Sequence, residues 1–291
     1  MGALEQASSR LAAVAGTSTC HIAMSKEPIS VPGVWGPYRD VLLPQLWLSE
    51  GGQSATGELL RHIIDIHPAW REAHAKAIES GAKNIYEYLN KHLEQLAQRQ
   101  GAPTISYLGR HFFLYGDFWG NRSPIADSNM RGSVIGISSD KGIDNLALWY
   151  YGAMEFIALQ TRQIVEQMNK AGHGVSSIFM SGSQCQNPVL MDLLATTCAM
   201  PVIIPKYVDA AVVHGAAMLG AKAGSADAQG NTESLWTIMD RMSKPGRLIT
   251  PSGSEREKEL LDAKYDVFLE QCETQQRYRS MVDAAVKSWK S

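Results

Sequence analysis

Cysteine is scarce in this 291-residue chain. Its four cysteines, Cys20, Cys185, Cys198 and Cys272, stand far apart and form no CxxC pair. That spacing excludes a zinc ribbon and a disulfide framework and leads us to expect a reducing, cytoplasmic setting. An excess of one charge is missing too: 27 Lys and Arg face 29 Asp and Glu. The chain therefore has no electrostatic footprint for nucleic acid, and no basic run suits an anionic membrane surface. No apolar run reaches 18 residues, and the start MGALEQASSR lacks the basic and apolar regions of a secretory signal. GxSxG, HExxH and a GxGxxG with an acidic partner are also absent. Hydrolase, metalloprotease and Rossmann readings thus lose their mechanical signatures.

What is present is a chain with 45% apolar residues, enough for one large domain or two small ones. Residues 11–25, LAAVAGTSTCHIAMS, read as a hairpin whose turn Gly16-Thr17-Ser18-Thr19 is rich in small hydroxyl residues. Such a turn offers backbone N–H groups and hydroxyls to an anion without a lysine. Residues 28–44 read as a loop too apolar for a linker. Glu50-Gly51-Gly52 follows, with Ser54 expected to cap a helix through Leu59 and Ile63. The Gly-Gly pair is expected to sit at the helix entrance and let a ligand approach.

Helical spacing of apolar residues predicts helices over 83–100, stopped by Gly101 and Pro103, and from Leu146 to Met168. Six aromatics between Tyr107 and Trp119 read as a buried strand and turn, or as a stacking surface. Residues 133–137, 175–180 and 200–205 read as strands. The second of these runs into Ser181-Gly182-Ser183-Gln184 and then Asn187-Pro188, a good cap and first-turn pair. An Ala- and Gly-rich helix is expected over 209–223, and a final one from Ser254, where Glu257 completes a capping box. Alternating strands and helices after a hairpin favour an α/β domain with a mixed sheet and helices on both faces.

Candidate chemistry gathers in three glycine turns: Gly16-Thr17-Ser18, Val134-Ile135-Gly136 and Ser181-Gly182-Ser183. Phosphate chemistry without a P-loop needs such turns. Glu50 in an apolar setting is either a ligand for sugar hydroxyls or a solvated loop residue. His21 reads as a packed core histidine. His62 and His67, five apart, do not share a helix face and read as exposed. No metal-ligating set is found.

These motifs, together with VPGVWGPY (31–38), WLSEGGQSATGELL (47–60), GNRSPIAD (120–127) and RGSVIGIS (131–138), resemble the FGGY family of carbohydrate kinases. The likeness is to the ribulokinase-like branch and its C-terminal, nucleotide-binding half. It implies an actin-like ATPase (ribonuclease H-like) domain over 1–291 that uses ATP and Mg²⁺. By this resemblance Gly16, Thr17 and Ser18 face the ATP phosphates and Gly136 lies against the nucleotide. Gly182, Ser183 and Asn187 border adenosine, Ser183 standing where relatives carry a second glycine. Asp209 to Gly220 would pack behind that site, and Glu50 would hold the sugar, a pentulose such as ribulose.

The family's catalytic aspartate segment precedes the hairpin, and residues 1–9 do not match it. No residue is therefore named as catalytic, Asp117 included. The reading is a kinase half whose N-terminal, sugar-binding domain is absent, with that domain or a second copy as partner. Its alternative is a non-catalytic nucleotide-binding or interaction protein derived from such a kinase.

Overall fold

The computed structural model describes residues 4–287. Met1–Ala3, part of the stretch searched above for the aspartate segment, and residues 288–291 lie outside the described residues. The chain opens with the hairpin β1 (Arg10–Ala15) and β2 (Thr19–Ser25), then β3 (Trp35–Arg39) and β4 (Trp47–Gln53). Three helices follow: α1 (Gly57–Ile66), α2 (Trp70–Glu79) and α3 (Ile85–Gln100). A short antiparallel ribbon of β5 (Phe113–Tyr115) and β6 (Ser133–Ile135) leads into α4 (Ile143–Lys170). The rest alternates: β7 (Ser177–Ser181), α5 (Pro188–Thr197), β8 (Val202–Ile204), α6 (Ala211–Gly224), α7 (Leu235–Met242), β9 (Arg247–Ile249) and α8 (Glu255–Lys287).

Seven strands form one mixed sheet in the order β3-β4-β2-β1-β7-β8-β9. The β1–β2, β2–β4, β3–β4 and β8–β9 pairs are antiparallel, and β1–β7 and β7–β8 are parallel. Alternation along the hairpin decides which side is covered. Leu11, Ala13, Ala15, His21 and Ala23 are buried beneath α4 and α5, whereas Val14 is 47% exposed on the opposite face. On that opposite face Met24 joins Leu43, Leu46, Leu235 and Trp236 in a small second cluster, so helices do flank both faces.

α4 is the spine of the core. Its Leu146, Tyr150, Met154, Ile164 and Met168 are all fully buried, and its neighbours α1, α3, α5 and β5 pack along it. α3 has the expected ends: Asn84 Oδ1 accepts from Glu87 N–H, and Gly101 closes it at φ +62°. α8 begins as expected, with Glu257 N–H donating to Ser254 Oγ. The Glu257 carboxylate turns away from the cap and accepts from Ser106 Oγ at 2.8 Å.

Three local expectations are corrected. Residues 28–44 contain the edge strand β3. Glu50, Gly51 and Gly52 lie inside β4 and not at a helix entrance. α1 starts at Gly57, and Ser54 does not cap it; the Ser54 hydroxyl donates to Gly120 O instead.

Candidate functional site

The Gly16–Ser18 turn abuts the start of α1, and its carbonyls do the capping. Thr56 N–H and Glu58 N–H donate to Thr17 O at 2.9 and 3.1 Å, and Gly57 N–H donates to Gly16 O at 3.1 Å. These are orphan donors of a helix start, and no side chain caps α1. In a trans peptide C=O and N–H point opposite ways. The N–H groups of Thr17 and Ser18 therefore point away from α1, and no acceptor among the described residues takes either. Thr17 is exposed.

Gln184 binds the third glycine turn to the first. Its Nε2 donates to Gly16 O and to Thr56 Oγ1, both at 2.6 Å. Thr56 Oγ1 in turn meets Thr19 Oγ1 at 2.8 Å. Gly182 has φ +93°, and a Cβ there would lie 2.2 Å from Ala15 O, so glycine is required by the backbone. Ser183 is exposed and adopts no positive φ, so the second glycine of relatives is not needed for this turn's shape. Gln184 and Thr56 are members of the site that sequence reading missed. Gln184 ends the turn Ser181-Gly182-Ser183-Gln184 read from the sequence, but only the fold shows that it reaches Gly16.

Asn187 is spent on scaffold. Its Oδ1 accepts from Leu190 N–H and from Asn90 Nδ2, and its Nδ2 donates to Tyr150 OH at 2.7 Å. Asp209, just before α6, accepts from Gln186 Nε2 at 2.7 Å and brings the start of that helix beside the turn. Gly136, with φ +88°, backs onto His111 O and Phe112 at the end of the β5–β6 ribbon.

Glu50 lies on the sheet face opposite α4. Arg122, from the GNRSPIAD loop, donates to its Oε1 at 3.0 Å and lies 4.6 Å over the Trp35 ring. The two glycines after Glu50 have packing reasons rather than a ligand reason. A Cβ on Gly51 would come within 3.1 Å of Ile164, and one on Gly52 within 3.0 Å of the Arg122 guanidinium carbon. Asp117 is a loop brace, accepting from Asn121 Nδ2 at 2.7 Å and Gln160 Nε2 at 2.9 Å. Burial pushes its carboxyl pKa up, against those two hydrogen bonds.

The histidines divide. His62 packs against Phe118 and Trp119. His67 is buried, not exposed as expected, with Nε2 3.0 Å from Asn145 Oδ1. His21 is a core residue as expected. Thr161 Oγ1 donates to Ile157 O and so accepts from His21 Nε2, which leaves Nδ1 a bare acceptor without a partner. Burial first, and then the Arg122 charge, pull its pKa down to about 3. The unfolded chain takes up a proton near pH 6.5 that the folded one refuses. Stability is full above pH 6.5 and falls as pH drops towards 3, by ~1.4 kcal/mol per pH unit, or ~2 kcal/mol at pH 5. Urea titrations at a series of pH values should show this slope flattened in His21→Gln; an unchanged slope would contradict the assignment.

Among the described residues no group of three His, Cys, Asp or Glu gathers to hold a metal, and no helix is long and apolar enough to cross a membrane. All four cysteines are unpaired.

Comparison with known proteins gives this geometry a family. Residues 11–224 match the FGGY family of carbohydrate kinases, C-terminal domain. The D-ribulokinase YDR109C of Saccharomyces cerevisiae is 39% identical over 94% of this chain and 52% of its own length. A Homo sapiens FGGY carbohydrate kinase domain-containing protein is 40% identical over 94% of this chain and 48% of its own. The chain thus spans about half the length of these relatives. Among solved structures, the xylulose kinase from Rhodospirillum rubrum aligns with TM-score 0.66 and 20% identity, covering 93% of this chain and 48% of that one. The gluconate kinase from Lactobacillus acidophilus aligns with TM-score 0.65 and 17% identity, over 92% and 47%. The mixed sheet and its flanking helices are of the actin-like ATPase type, and the chain belongs to the FGGY family of carbohydrate kinases.

Proposed function

We propose that this chain is the nucleotide-binding half of an ATP-dependent sugar kinase acting in the cytoplasm on a pentulose such as D-ribulose. The observation that carries the reading is the pair of unpartnered N–H groups at Thr17 and Ser18, turned outward by the capping of α1. Two adjacent free N–H groups of this kind are what an anion-holding turn offers a polyphosphate. Gly16 supports it: its φ is not positive and a Cβ there would meet nothing within 4 Å. The fold does not demand glycine at this position, whereas close approach of a phosphate does.

In this reading Gly182 and Ser183 border the adenosine, Asn187 holds the start of α5 beneath it, and Gly136, at the end of the β5–β6 ribbon, lies against the nucleotide. Glu50 accepts hydrogen bonds from sugar hydroxyls. Bound ATP supplies a phosphoryl group for in-line transfer. No carboxylate cage for Mg²⁺ exists among the described residues, so we derive no step through the ion. The general base comes from the half that relatives possess beyond the matched region; such help is worth about 10²–10⁴-fold.

Isothermal titration of the purified chain tests this. ATP and ADP should bind more tightly than adenosine, and ATP-dependent phosphorylation of D-ribulose should be weak without a complementing N-terminal half. Equal affinity for ADP and adenosine would remove the phosphate seat. Nucleotide binding that never yields turnover, even with that half added, would favour a non-catalytic nucleotide-binding protein.

A further inference from the structure

We propose that Arg122 binds the terminal phosphoryl group of ATP, a role resting on the reading of the Gly16–Ser18 turn as the polyphosphate seat. Arg122 is held in place by the Trp35 ring, 4.6 Å from its guanidinium carbon, and by close approach to Gly52, where a Cβ would come within 3.0 Å of that carbon. Its edge is only partly used. Nη2 donates to Glu50 and Nη1 lies 3.8 Å from Cys20 Sγ, so three of its five N–H donors have no acceptor among the described residues. Here one carboxylate oxygen is engaged, and the Arg122 side chain remains 27% exposed.

Register places this cation beside the phosphate turn. Cys20 pairs with Gly52 and Thr19 with Gln53, after which the hairpin closes through Ser18, Thr17 and Gly16. Val14, opposite Cys20 and 47% exposed, shows that this side of the sheet is open there. Arg122 therefore stands between Glu50, farther along β4, and the turn that seats the polyphosphate. Because Arg122 contacts Glu50, which the proposed reading gives to the sugar, the phosphoryl group nearest it is the one facing the sugar, the terminal one, and a planar, permanently charged donor suits its oxygens.

The test is the ratio of ATP to ADP affinity, measured by isothermal titration on the unsubstituted chain, Arg122→Gln and Arg122→Lys. Loss of one charge-assisted contact should weaken ATP binding about tenfold in Arg122→Gln, with ADP changed less than about twofold and Arg122→Lys in between. ATP and ADP weakened equally, or neither weakened, overturns the proposal while leaving the seat intact. A chain that binds neither nucleotide overturns the reading of the seat, and the proposal with it. If Arg122→Gln does not fold, the unsubstituted chain decides: in mass-spectrometric mapping of phenylglyoxal modification, Arg122 should be protected by ATP and not by ADP. Protection by both or by neither contradicts the assignment.

Discussion

Replacing Lys264 by methionine is expected to cost the fold about 3–5 kcal/mol, the largest effect of any single substitution outside the candidate site. Lys264 and Glu155 are each 3% exposed at the side chain and 2.8 Å apart. Lys264 Nζ also donates to Gly109 O at 2.7 Å and Phe112 O at 2.5 Å, and Tyr151 OH donates to Glu155 at 3.1 Å. Burial raises the Glu155 pKa, and the Lys264 charge opposes that rise. With the lysine gone, a buried carboxyl and two carbonyls lose their partner. Urea denaturation should report the loss, and Glu155→Leu combined with Lys264→Met should restore part of it, because paired removal leaves no buried carboxylate without its countercharge. A cost below about 1 kcal/mol for Lys264→Met would contradict this account. The pair also explains why α8, beyond the family match at 11–224, belongs to the same core: it ties α8 to α4 and to the segment before β5.

Gly57→Ala is expected to weaken ATP binding by at least about tenfold. A Cβ at Gly57 would lie 2.5 Å from Gly16 O, the atom that Gly57 N–H holds. The methyl group must push the turn off α1, and overpacking of this kind costs about 1–3 kcal/mol. Once the Gly16 and Thr17 carbonyls leave the helix start, Gln184 Nε2 still holds Gly16 O, but the outward direction of the next two N–H groups loses three of its fixing hydrogen bonds. Gly16→Ala is the contrast, since its Cβ enters open space. Stability should stay within about 0.5 kcal/mol of the parent, with any loss confined to nucleotide affinity. Gly57→Ala binding ATP as tightly as the parent would show that the contact between turn and helix does not organise the seat.

Much of this was legible from short-range signals. The hairpin, α3, α4 and the Asn187-Pro188 start of α5 announce themselves through periodicity and caps, both local properties of sequence. β3 did not, because Gly36 and Pro37 read as loop; an edge strand tolerates a proline that a central strand would not. β4 was hidden by its Gly51-Gly52 pair, residues depleted in strands for lack of side chain. Each glycine answers to a partner far away in sequence, Ile164 and Arg122. α2 carried no cap signal, and its N-terminal residue makes no side-chain cap in the fold.

At the site, residue identity was legible where the motif is contiguous and direction was not. Gly182 and Gln184 close on Ala15 and Gly16 at the first turn, while the β5–β6 ribbon sets Gly136 against His111. Asn187 looks like a ligand residue until its hydrogen bonds to Asn90 and Tyr150 are counted. Gln184 and Arg122 emerge only when strands distant in sequence are laid side by side.

The central claim is that the Thr17 and Ser18 N–H groups receive the nucleotide's phosphates. Amide proton shifts in a two-dimensional ¹H–¹⁵N spectrum, followed while the chain is titrated with ATP, test it at those two atoms. The account predicts that both resonances move downfield and saturate with the binding isotherm, as N–H groups do on meeting a charged acceptor. Saturating ATP that shifts other amides while Thr17 and Ser18 stay where they are would contradict it.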